Sequence, residues 1–293
     1  MKKNNIGIVG QGFVGSAIRE GLKNHHNVFT YDIDKKKCNS THEQICEKSE
    51  IIFVCVPTPM RLDGSCDTRI LESAIDNVYN ECSKTGIFPI LVIKSTIPPG
   101  TTKKINGKYK DMTVLFSPEF LTEANSFEDF KNQSRIIIGS HDNTIEDALK
   151  VRKMFKKVFP PIYTETIIVN SDEAEMCKYF INCFLASKVT FANQMFDICQ
   201  SADIDYNSVV DLALKDSRIG RSHFMVPGPD GDRGFGGHCF PKDLSAMIKF
   251  GSDNSTSHPI SFLQGVKDYN SLIRTNKDWL SMEGRAISKK EKK

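Results

Sequence analysis

Ile6-Gly7-Ile8-Val9-Gly10-Gln11-Gly12-Phe13-Val14-Gly15 stands almost at the start of the chain. Ile6 to Val9 read as a short buried strand, and the G-x-G-x-x-G spacing after it reads as a tight turn into a helix reaching about Lys23. Each glycine has its own physical reason. Gly10 permits the turn, Gly12 lets backbone approach a pyrophosphate, and Gly15 lets helix pack against strand, with Phe13 and Val14 in the same turn. The helix N-terminus offers N–H groups and partial positive charge to phosphates. Asp32 follows the second strand, Val28 to Tyr31. An acidic side chain there suits both ribose hydroxyls and repels a 2′-phosphate, so NAD is expected over NADP, with Lys35 to Lys37 nearby tempering that preference.

Further strands are expected at Ile51–Val56, Ile90–Ile93, Val114–Phe116 and Arg135–Gly139, with a helix over Asp67–Cys82. Strands spaced by helices imply an α/β, Rossmann-type, doubly wound parallel sheet over residues 1–170. After Asn170 the pattern changes. Ser171 or Asp172 can cap a helix, and no Pro or Gly interrupts the chain to about Gln200. Met176, Phe180, Phe184, Val189, Phe191 and Met195 recur at helical spacing, so one long helix is expected as the spine of an all-helical domain over residues 171–280. Leu212–Gly237 reads as a long loop, with helices resuming at about Lys242 and over Pro259–Leu280. Residues 281–293 read as a frayed polar tail.

The 293 residues hold 39% hydrophobic and 26% charged residues with a net charge of +3, values of ordinary globular chains that do not call for a nucleic-acid partner. No apolar run approaches the roughly 18–20 residues of a membrane span. Nine irregularly spaced cysteines suit a reducing, cytoplasmic setting, and no metal-ligand spacing is present.

One cysteine stands apart. Gly234-Phe235-Gly236-Gly237-His238-Cys239-Phe240-Pro241-Lys242-Asp243 places Cys239 beside His238 and Lys242, just before an expected helix start, and both features favour thiolate. Lys178 with Asn182, and Glu119 with Glu123, have the i,i+4 spacing that puts two residues on one helix face. A lysine–amide pair could hold a developing alkoxide, and a carboxylate could move protons or orient water.

These segments, in this order, resemble the nucleotide-sugar dehydrogenases, the UDP-glucose/GDP-mannose dehydrogenase family. The resemblance runs over about residues 4–275 and takes in Gly10–Gly15 with Asp32, Val56-Pro57-Thr58-Pro59, Lys94–Gly100, Ser117–Glu123, Glu175–Asn182, Asp216–Gly220 and Val226–Asp243. It implies a nucleophilic Cys239, Lys178 and Asn182 as oxyanion stabilisers, and Asp243 as assistant to a water or the lysine. Thr96 and Glu119 resemble water-holding residues, and Glu123 an acid/base that also meets substrate and cofactor. Lys37, Val56, Pro57, Thr58, Ser95, Thr96 and Lys242 match cofactor contacts, and Phe120, Leu121, Phe235 and Gly236 match sugar-nucleotide contacts alongside Lys178, Asn182 and Cys239. Arg218 matches an arginine that reaches a neighbouring subunit's substrate, and the long helix implies a homodimer.

The implied reaction is a four-electron, NAD-dependent oxidation of a nucleotide sugar, UDP-glucose to UDP-glucuronate first among them. It proceeds through a thiohemiacetal and a thioester on Cys239. Two departures accompany the resemblance. The stretch between Asp32 and Val56 is shorter than in the family, and the family's third, C-terminal nucleotide-binding domain has no counterpart here. Two other readings stay open: a two-electron β-hydroxyacid dehydrogenase, and a non-catalytic NAD-binding paralogue or subunit.

Overall fold

The computed structural model describes residues 3–254 and 258–289. Two compact units emerge, one from the described residues of Met1–Thr58 with Thr68–Lys178, the other from Pro59–Asp67 with those of Tyr179–Lys293.

The first unit runs β1 (Asn5–Val9), α1 (Phe13–Leu22), β2 (Asn27–Tyr31), α2 (His42–Lys48), β3 (Ile51–Val54), α3 (Arg69–Cys82), β4 (Ile90–Ile93), α4 (Thr101–Lys108), β5 (Val114–Phe116), α5 (Ser126–Lys131), β6 (Arg135–Ser140), α6 (Ile145–Lys156), β7 (Glu165–Asn170) and the start of α7 (Ser171–Ser201). The strands form one seven-stranded sheet in the order β2-β1-β3-β4-β5-β6-β7. β3 is buried throughout, and such unbroken apolar runs mark strands covered on both faces. Alternation sends Ile52 and Val54 to one face, where they meet α3 residues Leu71, Ile75 and Val78. Ile51 and Phe53 go to the other, against Ile18 and Leu22 of α1 and Val151 and Phe155 of α6. Helices on both faces make this the doubly wound α/β fold expected.

Two features differ from the expectation. The sheet is mixed, because β5 pairs with β6 antiparallel through Phe116 and Gly139. β7 is an additional strand, parallel to β6 at the sheet edge, and its half-exposed residues dilute the apolar signal.

The second unit holds α7 from Tyr179 onward, α8 (Tyr206–Ala213), α9 (Cys239–Asp253) and α10 (Ser261–Ile273). α7 is the long helix expected. Its start is capped by Asn170, whose side-chain oxygen accepts from the Asp172 amide at 2.9 Å, rather than by Ser171 or Asp172. α8 lies mostly before the expected loop, and only its last two residues, Leu212 and Ala213, fall in it, leaving the irregular stretch from Leu214 to His238. α9 starts three residues earlier than expected, at Cys239, with Pro241 in its first turn where a missing N–H costs nothing.

The expected frayed end is also corrected. Residues 282–288 lie along the Pro59–Asp67 segment, with Met60 N–H donating to Ala286 O and Ser288 N–H to Met60 O, each at 2.8 Å. Pairing, together with burial of Ala286 and Trp279, outweighs the polar composition. Lys290–Lys293 lie outside the described residues.

Candidate active site

The strand order reverses direction between β1 and β3, and ligands of open α/β sheets bind outside the carboxyl ends of strands at such a point. The glycine turn sits there. Gly10 has φ +92°, and a Cβ on it would fall 2.5 Å from the Cys55 carbonyl oxygen. At Gly15 a Cβ would fall 1.9 Å from the Gly10 carbonyl oxygen, yet at Gly12 it meets no protein atom within 4 Å. α1 begins behind Gly12 with no side chain capping its first amides. Asp32 is fixed by the Gln11 and Asp34 amides, which donate to its two carboxylate oxygens at 2.6 and 2.8 Å. A turn open at Gly12, uncapped helix amides and an oriented carboxylate together fit a dinucleotide. Lys37 is exposed on the short turn Lys35–Lys37 beside it. Across the switch point, Thr58 Oγ1 donates to Thr96 O at 2.7 Å and Ser95 Oγ to Val56 O at 2.6 Å, so the ends of β3 and β4 are stitched together.

Still within the first unit, Lys178 of α7 is buried and donates to both the carbonyl and the carboxylate of Glu119, at 2.7 and 3.0 Å. The other Glu119 oxygen accepts from the Leu121 amide at 2.7 Å. Burial pushes the Glu119 carboxyl up, but the Lys178 ammonium, the Leu121 N–H and Lys94 hold it below the ordinary carboxylate value. Ser117–Asn125 is not helical, so the i,i+4 pairing of Glu119 with Glu123 does not exist. Glu119 turns inward to its ion pair while Glu123 is exposed. Phe120 is flanked by cations, with the Arg135 guanidinium 4.5 Å and the Lys178 ammonium 5.7 Å from its ring centre. Leu121 is half-buried beside it.

In the second unit, Cys239 is half-buried and is the first residue of α9, whose N-terminus carries no side-chain cap. Asp243, buried one turn later, accepts from Asn182 Nδ2 at 2.6 Å and from the Lys242 ammonium. Burial pulls Lys242 down, but Asp243 above all, with the thiols of Cys239 and Cys66, holds its ammonium above the ordinary lysine value. The Lys242 ammonium thus interacts electrostatically with the Cys239 sulfur at the start of α9. Phe235 is locked by a reciprocal pair, its amide donating to Asn270 Oδ1 at 2.7 Å and its carbonyl accepting from Asn270 Nδ2 at 3.0 Å. Gly236 lies against Arg274, leaving no room for a side chain. Arg218 is exposed and paired with Asp216.

Three residues outside the expected set shape these groups. Lys94 is buried at the end of β4 and donates to Ser117 Oγ and Pro118 O at 3.1 and 3.0 Å; burial lowers its ammonium to about 8. Glu175 on α7 accepts from the Gly100 amide, the Thr102 amide and the Thr102 hydroxyl at 2.6 to 2.8 Å, capping α4. Asn270 reaches the cysteine loop from α10. Lys94 and Glu175 fall in quoted motifs, but an unusual lysine in an apolar strand end is their only sequence signal.

Among the described residues, no group of three or more His, Cys, Asp or Glu side chains is placed to hold a metal ion. Among the same residues, no helix is long and apolar enough to cross a membrane.

The NAD-binding domain of the UDP-glucose/GDP-mannose dehydrogenase family matches residues 40–161, and the central domain of the same family matches residues 172–271. The UDP-glucose 6-dehydrogenase TuaD of Bacillus subtilis (strain 168) is 33% identical over 254 residues, which cover 82% of this chain and 51% of that protein. A UDP-glucose dehydrogenase structure from Pyrobaculum islandicum superposes with a TM-score of 0.80 at 27% identity, covering 92% of this chain and 68% of that one. A 3-hydroxyisobutyrate dehydrogenase of Mycobacterium tuberculosis, at 14% identity and a TM-score of 0.69, shares the fold over 94% of its own length. The chain spans about half the length of the curated relative it matches. Its two matched domains, of one family and in that family's order, make this chain a member of the UDP-glucose/GDP-mannose dehydrogenase family.

Proposed function

We propose that the protein oxidises the hydroxymethyl group of a nucleotide sugar to a carboxylate, with UDP-glucose as the first substrate to test. The observation that carries this reading is Cys239 at the uncapped N-terminus of α9, in the same turn as the buried Lys242 and one turn before Asp243, which holds Asn182. A dehydrogenase acting only on an alcohol has no need of such a thiol. An aldehyde has no hydride to give directly, whereas its thiohemiacetal does.

NAD supplies the hydride acceptor, one molecule for each two-electron oxidation. Gly10, Gly12, Gly15 and Asp32 would hold it, with Phe13, Val14, Lys37, Val56, Pro57, Thr58, Ser95, Thr96 and Lys242 as further contacts. The Cys239 thiolate adds to the aldehyde carbon, and Lys178 and Asn182 carry the charge on the oxygen. Oxidation of that adduct leaves a thioester. Water held by Thr96 and Glu119 then attacks the thioester carbon, releasing the carboxylate and the Cys239 thiol. Glu123 moves the proton, and Asp243 keeps Asn182 oriented through its 2.6 Å hydrogen bond. Phe120, Leu121, Phe235 and Gly236 contact the sugar nucleotide.

The protein works as a homodimer in this reading. Phe180, Phe184, Phe191 and Ile198 leave one stripe of α7 more than half exposed, an apolar face of the kind that self-complementary interfaces cover. Arg218 then meets the partner's substrate.

The test is a panel of UDP- and GDP-sugars with NADH measured per sugar consumed. Two NADH per acid formed, and no acid from Cys239→Ser, is the expected result. One NADH per turnover with full activity in Cys239→Ala identifies a two-electron hydroxyacid dehydrogenase instead. NAD binding with no turnover of any sugar nucleotide identifies a non-catalytic subunit.

A further inference from the structure

The end of the described chain grips the loop that delivers Cys239. The Arg274 guanidinium is buried just past α10 and reaches Asp230 at 2.6 Å, Asp232 at 3.5 Å and Asp278 at 3.7 Å. Gly236 packs onto this pair, since a Cβ there would fall 2.3 Å from Arg274 Nη2 and 2.5 Å from Asp278 Oδ1. Both Asp278 oxygens accept from the Gly237 amide at 3.1 Å, two residues before Cys239. Gly237 has φ +70°, so the Gly236-Gly237 pair has wide backbone freedom unless something holds it. Asp278 supplies that hold.

The grip is itself anchored. Trp279, the one tryptophan in the sequence, is buried next to Asp278. The chain then pairs with Met60 on both sides, and Ser288 Oγ donates to Asp67 at 2.7 Å. The family's central-domain match stops at residue 271, so this segment lies beyond the part that the family match accounts for.

We propose that residues 274–288 form a strap that positions the nucleophile, and that Asp278 is its positioning residue. Its carboxylate fixes the Gly237 amide, and with it the direction in which the chain enters α9 at Cys239. Arg274 ties this carboxylate to Asp230 and Asp232 earlier in the same loop. The effect on turnover rests on Cys239 being the nucleophile, but the effect on the backbone and the thiol does not.

The test compares Asp278→Ala with Asp278→Asn, which keeps an oxygen for the Gly237 amide. Three quantities are read: kcat and KM with UDP-glucose and NAD, the rate of Cys239 alkylation by iodoacetamide followed by peptide mass spectrometry, and Trp279 emission. Asp278→Ala is expected to lower kcat about 10- to 100-fold, the size of effect a misplacement of about 1 Å produces. KM for NAD stays within about twofold, too small a change for a lost contact. The alkylation rate changes several-fold, and Asp278→Asn restores both. Wild-type alkylation and kcat in Asp278→Ala overturn the proposal, as does a fall in kcat with alkylation unchanged.

Should Asp278→Ala fail to fold, hydrogen exchange on the unaltered protein decides. A slowly exchanging Gly237 amide supports the grip, and exchange at the free-peptide rate overturns it. If no sugar nucleotide turns over in the unaltered protein, the reading of its function fails, while the alkylation and exchange arms still judge the strap.

Discussion

The Asp243 carboxylate accepts a 2.6 Å hydrogen bond from the Asn182 side-chain amide, and both groups are buried. The second Asp243 oxygen takes the Lys242 ammonium. One carboxylate therefore orients an amide on α7 and neutralises a cation one residue before it on α9. Replacing Asp243 by Ala leaves a buried ammonium unpaired, which costs about 3–5 kcal/mol. Urea unfolding of Asp243→Ala should show a loss of that size. Asp243→Asn, which keeps an acceptor but removes the charge, should lose less. Equal midpoints for Asp243→Ala and the unaltered protein would mean that the Lys242–Asp243 pair carries no weight.

Lys94 places a second buried cation next to the Lys178–Glu119 pair. The charged and titratable groups around it are Cys55 past β3, Glu119 after β5 and Lys178 on α7. With its ammonium lowered to about 8, Lys94 is charged at neutral pH and loses its proton as pH passes 8. The positive charge that Lys94 adds beside the Glu119 carboxylate and the Lys178 ammonium is therefore present below pH 8 and lost above it. Lys94→Met removes it at every pH. The variant's kcat should lie about tenfold below the unaltered protein's at pH 7, the effect of roughly 1.4 kcal/mol. The two should converge near pH 9, and a constant ratio across pH 6.5–9 counts against this role.

Glu175 gives a stability signature. Burial raises its carboxyl from 4.5 to about 7, against the pull of its three hydrogen bonds from Thr102 and Gly100, with Asp172 adding to the rise. The unfolded chain releases this proton near pH 4.5 and the folded chain only near 7, so the folded state binds more protons between those values. Stability then falls as pH rises through that window, by up to about 3 kcal/mol from this one group. Glu175→Gln should flatten the slope between pH 5 and 7 in denaturant titrations. A variant whose slope matches the unaltered protein's would show that another group sets it.

Much of this arrangement is legible in the sequence where the signal is local. β3, β4 and, from Ile6, β1 stand out because burial on both faces makes each an apolar run. The cysteine loop stands out because its glycines and Cys239 adjoin. α2 does not, being seven residues opened by a Thr41 capping box and too short to show a period. The antiparallel step from β5 to β6 leaves no mark in composition. Glu175 and Arg274 owe their roles to partners far off in the chain, 73 residues away at Thr102 and 44 at Asp230. No spacing rule finds such pairs. Glu119 and Glu123 show the reverse error, because i,i+4 spacing means adjacency only on a helix, and Ser117–Asn125 is not one.

The glycine turn separates folding from cofactor binding within six residues. A Cβ at Gly15 would sit 1.9 Å from the Gly10 carbonyl oxygen, a clash with backbone that no side-chain rotation relieves. Gly15→Ala should therefore melt at lower temperature and lose NAD affinity together. At Gly12 a Cβ meets no protein atom within 4 Å, so Gly12→Ala should melt like the unaltered protein. Its methyl group instead takes the space where a pyrophosphate would approach the amides of α1. Calorimetry should find NAD affinity reduced more than about tenfold, a loss above 1.4 kcal/mol, at unchanged melting temperature. Because the first family match begins only at residue 40, this pair tests the dinucleotide site on its own geometry. Should Gly12→Ala bind NAD as tightly as the unaltered protein, the phosphates do not lie over that turn.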